Sequence, residues 1–404
     1  MVQRRIALTV YQPSKPGVQS FALLASFEAA ARSIVISVFP VLLLRQVGSA
    51  EKVSEVYLLA GLVSLALAMV TPMLTRYVAR RWLYTAGCLG LINGNILALA
   101  GGPALLPVVL IMNAASLVVM TICFNAYVMD FIERTSLGKN ESTRLLYSGA
   151  AWAVGPALGV WLMDVSPRAP FLVSILACIL LLCLFWYLRL GNGKVIVRAK
   201  RAAANPFANL KRFFSQPPLV AGWLFASIRS VGWWVYIVYL PVFAIENGLG
   251  DKLSGIALSV SNAFLFLAPF MLKYIVTRNV RFSIVLGFGV SGLLFLVAAL
   301  LSVYPQVAIL VLVAATLFLV LLDVSAGLPF LMLAKPSERA EMASVYSTFR
   351  DVSAVATPGF GWLILLFSPL TGVFVACGAG LLACSALALK LPVRLGQKRL
   401  KVGG

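Results

Sequence analysis

SFALLASFEAAARSIVISVFPVLLL, residues 20–44, is an apolar run interrupted by two full charges, Glu28 and Arg32, one helical turn apart. A run of this length suits a membrane crossing, which needs about 20 apolar residues. Ionisable groups near a bilayer centre cost about 2.5–3.5 kcal/mol each on insertion scales, so they persist where they pair with each other or face a water-filled route. The same motif returns in residues 219–244, where Arg229 lies inside a second apolar run. The stretch therefore predicts a polytopic helical membrane protein with a polar path through its interior.

Composition extends that reading to the whole chain. Of 404 residues, 61% are hydrophobic and 11% charged, and the mean hydropathy is +0.97. A soluble chain is nearer half apolar and a quarter charged. The apolar runs are continuous and do not alternate with polar residues, which excludes a transmembrane β-barrel. The net charge of +20 is spread over short loops between apolar runs, so it reads as a topology signal and contact with anionic lipid; no nucleic-acid partner is expected. The six cysteines, Cys88, Cys123, Cys178, Cys183, Cys377 and Cys384, all fall in apolar runs, and the chain has no histidine. They read as small buried hydrophobes, with no metal site and no cofactor expected.

Apolar runs fall at 20–44, 54–75, 82–101, 104–129, 143–163, 169–189, 219–244, 253–272, 282–303, 307–331, 341–366 and 370–390. The expected fold class is all-α membrane, with twelve transmembrane helices in two pseudo-symmetric six-helix bundles. Residues 1–19 read as a cytoplasmic N-terminal segment, 20–190 as the N-terminal six-helix bundle, 191–218 as a basic cytoplasmic linker, 219–391 as the C-terminal bundle and 392–404 as a cytoplasmic tail. Of the 33 Lys and Arg, 26 fall on the side of the termini, four on the other side and three within spans. That asymmetry places both termini in the cytoplasm, and the expected location is a bacterial cytoplasmic (inner) membrane. Within the linker, Phe207, Leu210, Phe213 and Phe214 opposite Lys211 and Arg212 suggest an amphipathic helix on the membrane surface.

The two halves repeat each other. Arg32-Ser33 answers Arg229-Ser230 at an offset of 197, and Pro72 with Arg76-Tyr77 answers Pro269 with Lys273-Tyr274 at the same offset. Tyr147-Ser148 answers Tyr346-Ser347 at 199, and Pro156-x-x-Gly159 answers Pro358-x-x-Gly361 at 202. Four matches in order indicate parallel repeats, with a binding site expected between the halves near the midplane.

With twelve spans, this repeat and a basic central loop, the chain resembles the major facilitator superfamily over about residues 18–395. The family's loop signature after span two is G-x-L-x-D-R-x-G-R-R; the chain has Pro72-Met73-Leu74-Thr75-Arg76-Tyr77-Val78-Ala79-Arg80-Arg81. Leu74, Arg80 and Arg81 fit. Pro72 and Ala79 replace glycines, and Arg76 stands where an acid is expected. Asp130 at the end of span four matches the family's acid that holds this loop. Residues Gly149 to Gly159 read G-A-A-W-A-V-G-P-A-L-G, close to the span-five motif G-x3-G-P-x2-G-G: Gly155, Pro156 and Gly159 fit, Gly149 stands two residues before the motif's first glycine, and Val160 replaces the last. The resemblance implies a proton-coupled exporter, with spans one, four, seven and ten lining the cavity.

The charges inside spans concentrate on those helices: Glu28 and Arg32 on span one, Arg229 on span seven and Asp323 on span ten, with Arg350 and Asp351 on span eleven. Glu28 and Asp323 are the candidate proton carriers, because burial and a nearby arginine act on a carboxylate in opposite senses and a changing cavity alters both. The competing reading makes Glu28 and Arg32 a permanent i, i+4 pair. Arg32 and Arg229 are candidate contacts for an anionic cargo, since guanidinium groups grip carboxylate and phosphate in two-pronged geometry. Trp233 and Tyr236 share the face of Arg229 and join Asn125 as candidate cargo contacts, whereas Trp234 and Tyr239 point elsewhere and are expected in lipid. Arg350 and Asp351 are expected to be structural.

The expected function is secondary active transport of a small solute by alternating access, coupled to protons, with export favoured over proton-coupled uptake of a small organic anion. A lipid flippase or a non-transporting receptor would use the same architecture. An enzyme is not expected, because the chain lacks histidine and its central charges can pair. The expected partners are the bilayer, the small-molecule substrate and protons, with the chain acting as a monomer.

Overall fold

In the computed structural model, residues 17–75, 77–131, 137–188, 209–277, 279–333 and 339–392 are described, and among them the chain is helical throughout. Twelve helical segments follow the apolar runs. Segment one is Val18–Ile36 continued by Val38–Val47, segment two Ala50–Leu74, segment three Arg80–Ala100, segment four Leu106–Phe131, segment five Leu137–Val165 and segment six Ala169–Tyr187. Segment seven is Pro217–Glu246 and segment eight runs from Asp251–Ala263 into Ala268–Thr277. Segment nine is Val280–Leu300, segment ten Pro305–Ser325, segment eleven Arg339–Tyr346 with Phe349–Leu365, and segment twelve Thr371–Ala388.

Eleven helices among the described residues are long and apolar enough to cross a membrane. Segment eleven falls short because it is divided at Ser347-Thr348, where Thr348 Oγ1 turns back onto the carbonyl of Val345 at 2.7 Å. Two other departures from continuous helix have proline causes. Pro40 has no N–H for the carbonyl of Ile36, and segment one breaks at Ser37. Pro269 likewise deprives Leu265 of its partner, and segment eight passes through a tighter 3-10 turn at Phe264–Leu267.

Packing within the two halves follows one plan. Segment one packs against five and six, and seven packs against eleven and twelve. Segment four packs against two and three, and ten packs against eight and nine. The halves meet along two diagonals, segment two on eleven and segment five on eight, both allowed by missing side chains. A Cβ on Gly61 of segment two would come within 2.6 Å of the Ala354 carbonyl oxygen, and one on Gly255 of segment eight within 2.9 Å of the Pro156 oxygen. Such close approach of backbones is how helices associate where no hydrophobic drive exists between them.

The end of the bundle away from the termini is tied further. Arg45 pairs with Asp251, and Lys252 pairs with Asp164 at 2.7 Å, so adjacent residues of segment eight hold segments one and five. Tyr239 of segment seven is fully buried there and shares a 2.8 Å hydrogen bond with Ser54 of segment two. That corrects the expectation of a lipid-facing Tyr239. The later part of segment one also packs on segment seven, while the part bearing Glu28 and Arg32 makes no comparable packing against it.

The linker expectation is corrected in part. Leu210–Phe214 forms a short helix, but Phe213 is fully buried in a cluster with Leu219, Phe330, Met342 and Val345 and does not face a membrane surface. Phe207 lies outside the described residues. Five cysteines are buried as expected, whereas Cys183 is exposed on segment six.

Candidate functional site

Glu28 and Arg32 stand ten and fourteen residues into segment one, roughly 15 and 21 Å along it at 1.5 Å per residue. Both are half-buried. Among the described residues they do not meet in a direct ion pair, so the permanent i, i+4 bridge is not formed. The Arg32 guanidinium instead lies 5.4 Å from the centre of the Trp152 ring on segment five. Glu28 lies in the field of two guanidiniums, Arg32 and Arg144, with Thr121 of segment four nearby.

The C-terminal half closes its pair. Arg229 Nη1 is 3.3 Å from Asp323 Oδ1, and Trp233 Nε1 donates to Asp323 Oδ2 at 3.0 Å. The side chains of Arg229 and Asp323 keep 16% and 29% of their surface exposed, so the pair borders open space without being sealed. A pair in that position is held by its second hydrogen bond as much as by charge, because desolvation offsets much of the Coulomb gain. Arg229 also lies 5.4 Å over the Phe349 ring, and Arg350 approaches the same ring at 5.5 Å. Arg350 is exposed, half-buried Asp351 lies in its field, and Arg350 is electrostatically coupled to Arg32 across the boundary between the halves. Arg229 and Arg350 thus share the Phe349 ring, and Arg350 is the charge through which the C-terminal half reaches Arg32.

Hydrogen bonds from segments three, four and six fix the backbone beside Arg32. Asn113 Nδ2 donates to Asn95 Oδ1 at 3.1 Å, Asn95 Nδ2 to Ser174 Oγ at 2.9 Å, and Ser174 Oγ to the Ala31 carbonyl at 2.6 Å. Ser33 donates to the Ala151 carbonyl at 3.0 Å, and its repeat partner Ser230 accepts from Ser353 at 2.7 Å. In both halves, then, the serine after the arginine ties the first helix of the half to its fifth.

The span-five motif is a packing device here. A side chain on Gly155 would overlap the Ser33 side chain, and one on Gly159 the Ile34 carbonyl. Pro156 breaks the helix ladder, and the groups beside it find partners elsewhere. Its carbonyl accepts from Ser37 Oγ at 2.8 Å, and the Ala157 N–H donates to Ser259 Oγ of the other half at 2.9 Å. Gly149 is buried with Phe266 at 3.6 Å from the position of its missing Cβ.

The other expected site residues scatter. Tyr236 is fully buried, donating to the Ala257 carbonyl at 3.0 Å and sharing a 2.6 Å bond with Ser261, so its hydroxyl is engaged between segments seven and eight. Asn125 is half-buried and makes no hydrogen bond among the described residues. Arg80 lies 5.5 Å over Tyr127, and Arg81 lies 5.7 Å over Trp82. Arg76 and the Asp130 side chain lie outside the described residues. A groove of about 350 Å³ lined by Leu267, Phe270, Met271, Leu317, Phe318 and Leu321 is wholly apolar and sits apart from the charges, suited to hydrocarbon.

Sequence reasoning missed Thr121, Arg144 and Trp152. Arg144 stands at the edge of the apolar run 143–163 and lies two turns inside the helix Leu137–Val165.

A two-fold bundle of apolar helices that carries charged residues within its spans has the architecture of a helical membrane transporter. The chain belongs to the Major Facilitator Superfamily, whose model matches residues 21–358. Among solved structures it is similar to the nucleoside transporter NupG, at TM-score 0.71 and 9% identity over 93% of this chain and 99% of that one. It is also similar to a POT family transporter in complex with a thioalcohol-conjugated peptide, at TM-score 0.70 and 14% identity, covering 92% and 95%. No curated protein matches the sequence. The chain is an integral membrane secondary transporter of a small molecule, not an enzyme.

Proposed function

We propose that the chain works by proton-coupled alternating access, with Glu28 as the proton carrier and the space between Arg32, Arg229 and Arg350 as the cargo path. The observation that carries this reading is the contrast between the two acids. Asp323 is fixed by a direct ion pair and the Trp233 indole, whereas Glu28 is shared between two guanidiniums and a threonine, with no direct ion pair to Arg32. A carboxylate without a committed partner can change protonation as its neighbours move, and that change couples proton to conformation. Asp323, so fixed, serves structure.

Export is supported by the span-five motif, whose glycines and proline pack segment five onto segments one and eight. Uptake of an organic anion together with a proton is supported by Arg32, which no carboxylate among the described residues contacts directly. The basic loops on the side of the termini support a cytoplasmic location for both, with the chain acting as a monomer in a bacterial inner membrane. The test is purified protein in liposomes loaded with a pH-sensitive dye, challenged with panels of small anions, cations and neutral solutes under an imposed pH gradient. Solute-dependent proton movement, lost in Glu28→Gln, is the expected result. Proton movement that Glu28→Gln leaves unchanged would rule out the assignment, and its direction relative to the solute separates export by exchange from uptake together with the proton.

A further inference from the structure

The two halves treat their arginines differently, and the repeat shows what is missing. Gly87 of segment three faces the Ser116 carbonyl and Met120 of segment four, and Gly287 of segment nine faces the Phe318 carbonyl and Leu322 of segment ten. Segments four and ten therefore correspond at an offset of 202, the same as Pro156 to Pro358. At that offset the counterpart of Asp323 is Thr121. In the C-terminal half, Arg229 receives a carboxylate from segment ten at 3.3 Å. In the N-terminal half, the matching position of segment four carries Thr121, with Asn125 one turn on, and Asn125 makes no hydrogen bond among the described residues.

We propose that a carboxylate-sized monoanionic group of the cargo docks on Arg32 beside Thr121 and Asn125, in the place that Asp323 fills for Arg229. The inference rests on the transporter reading and deepens it by naming the cargo's chemical class. Asp323 is the chain's own example of the contact: one oxygen on the guanidinium, the other on a neighbouring N–H, as Trp233 supplies there. For the cargo, the Asn125 amide is placed to supply that second donor, and the Thr121 hydroxyl can join once Glu28 is protonated. An anion on Arg32 also lessens the repulsion it feels from Arg350 of the other half. Bound cargo thus favours drawing the halves together on that side, and the open path favours the unloaded chain. Anion and proton bind in concert, because neutralising Glu28 leaves Arg32 wholly to the cargo.

The test uses iodide, a small monoanion that quenches tryptophan, on the full-length protein in nanodiscs. The emission of Trp152, isolated by comparison with Trp152→Phe, reports the site because its ring lies against Arg32. Iodide quenching of that component should saturate and be relieved by benzoate but not by uncharged benzamide. Thr121→Asp, which supplies the mirrored internal carboxylate, should weaken the apparent iodide and benzoate affinity about 10-fold, the loss of one charge-assisted contact of about 1.4 kcal/mol. Thr121→Asn should retain it, which guards against a folding artefact. Quenching that does not saturate, or that is the same in Thr121→Asp as in the parent, would overturn the proposal. Because binding is read at equilibrium without a gradient, a failure here leaves the proton-flux test standing, and a failure of flux leaves this one standing.

Discussion

Gly61 is where the contact between the halves can be tested by adding a single carbon. A Cβ at this position would lie 2.6 Å from the Ala354 carbonyl oxygen, 3.1 Å from its carbon and 3.3 Å from the Val355 Cα. All three atoms are backbone, so no rotamer change relieves the clash, and segment two must move away from segment eleven by nearly 1 Å to reach ordinary contact distance. Overpacking of this kind costs about 1–3 kcal/mol. Because the two segments belong to different halves, the strain falls on the arrangement in which they are packed, and states in which they separate should gain roughly 5- to 150-fold in relative population. Spin labels at Val108 and Val303, exposed near the ends of segments four and nine away from the termini, would read the change as a longer distance in Gly61→Ala. Gly380→Ala is the control, since its Cβ would meet nothing within 4 Å. An unchanged distance distribution in Gly61→Ala, with thermal stability also unchanged, would refute the reasoning that this glycine sets the approach of the halves.

Asp323→Asn leaves Arg229 facing an uncharged partner in a partly open site, and a loss of about 2 kcal/mol is expected, below the cost at a fully buried pair; thermal unfolding in detergent should show it, with Arg229→Gln added in the same chain restoring much of the loss. Arg45→Glu should weaken the closure away from the termini by no more than about 1 kcal/mol, since that arginine is largely exposed, and the reversed pair Arg45→Glu with Asp251→Arg should return thiol accessibility near Ser54 to the parental value. Asn95→Leu takes one hydrogen bond each from buried Asn113 and Ser174, which keep their bonds to the Val109 and Ala31 carbonyls, and should cost about 1–3 kcal/mol in thermal stability, more than Asn125→Leu, whose amide makes no hydrogen bond among the described residues.

Much of this architecture was written into the sequence. Eleven of the apolar runs match helices long enough to cross a membrane, and the run 341–366 meets the segment divided at Ser347-Thr348; hydropathy over about 20 residues is decided by the solvent, and the bilayer leaves little choice. The offsets between halves were legible for the same reason that they recur in space: Arg32-Ser33 and Arg229-Ser230 each tie their helix to the fifth of its half. Which neighbour a side chain meets was not legible. Tyr239 and Trp234 read alike in an apolar run, yet Tyr239 is sealed between the halves while Trp234 is half-buried. Lipid and a packed helix are equally apolar, so hydrophobicity cannot separate them. Cys183 was misplaced on the same ground. Asp323 and Glu28 looked equivalent as acids within spans, and only their partners distinguish the fixed one from the uncommitted one.

Water access to Arg32 and its neighbours is the point from which the other statements follow, and thiol chemistry reads it directly. Asn125→Cys should react with a charged, membrane-impermeant thiol reagent. Native Cys183, exposed on a face with Leu176, Ile179 and Leu180, should stay inert in a bilayer because hydrocarbon covers it. An unreactive Asn125→Cys beside a reactive Cys183 would mean that no aqueous space lies between the halves.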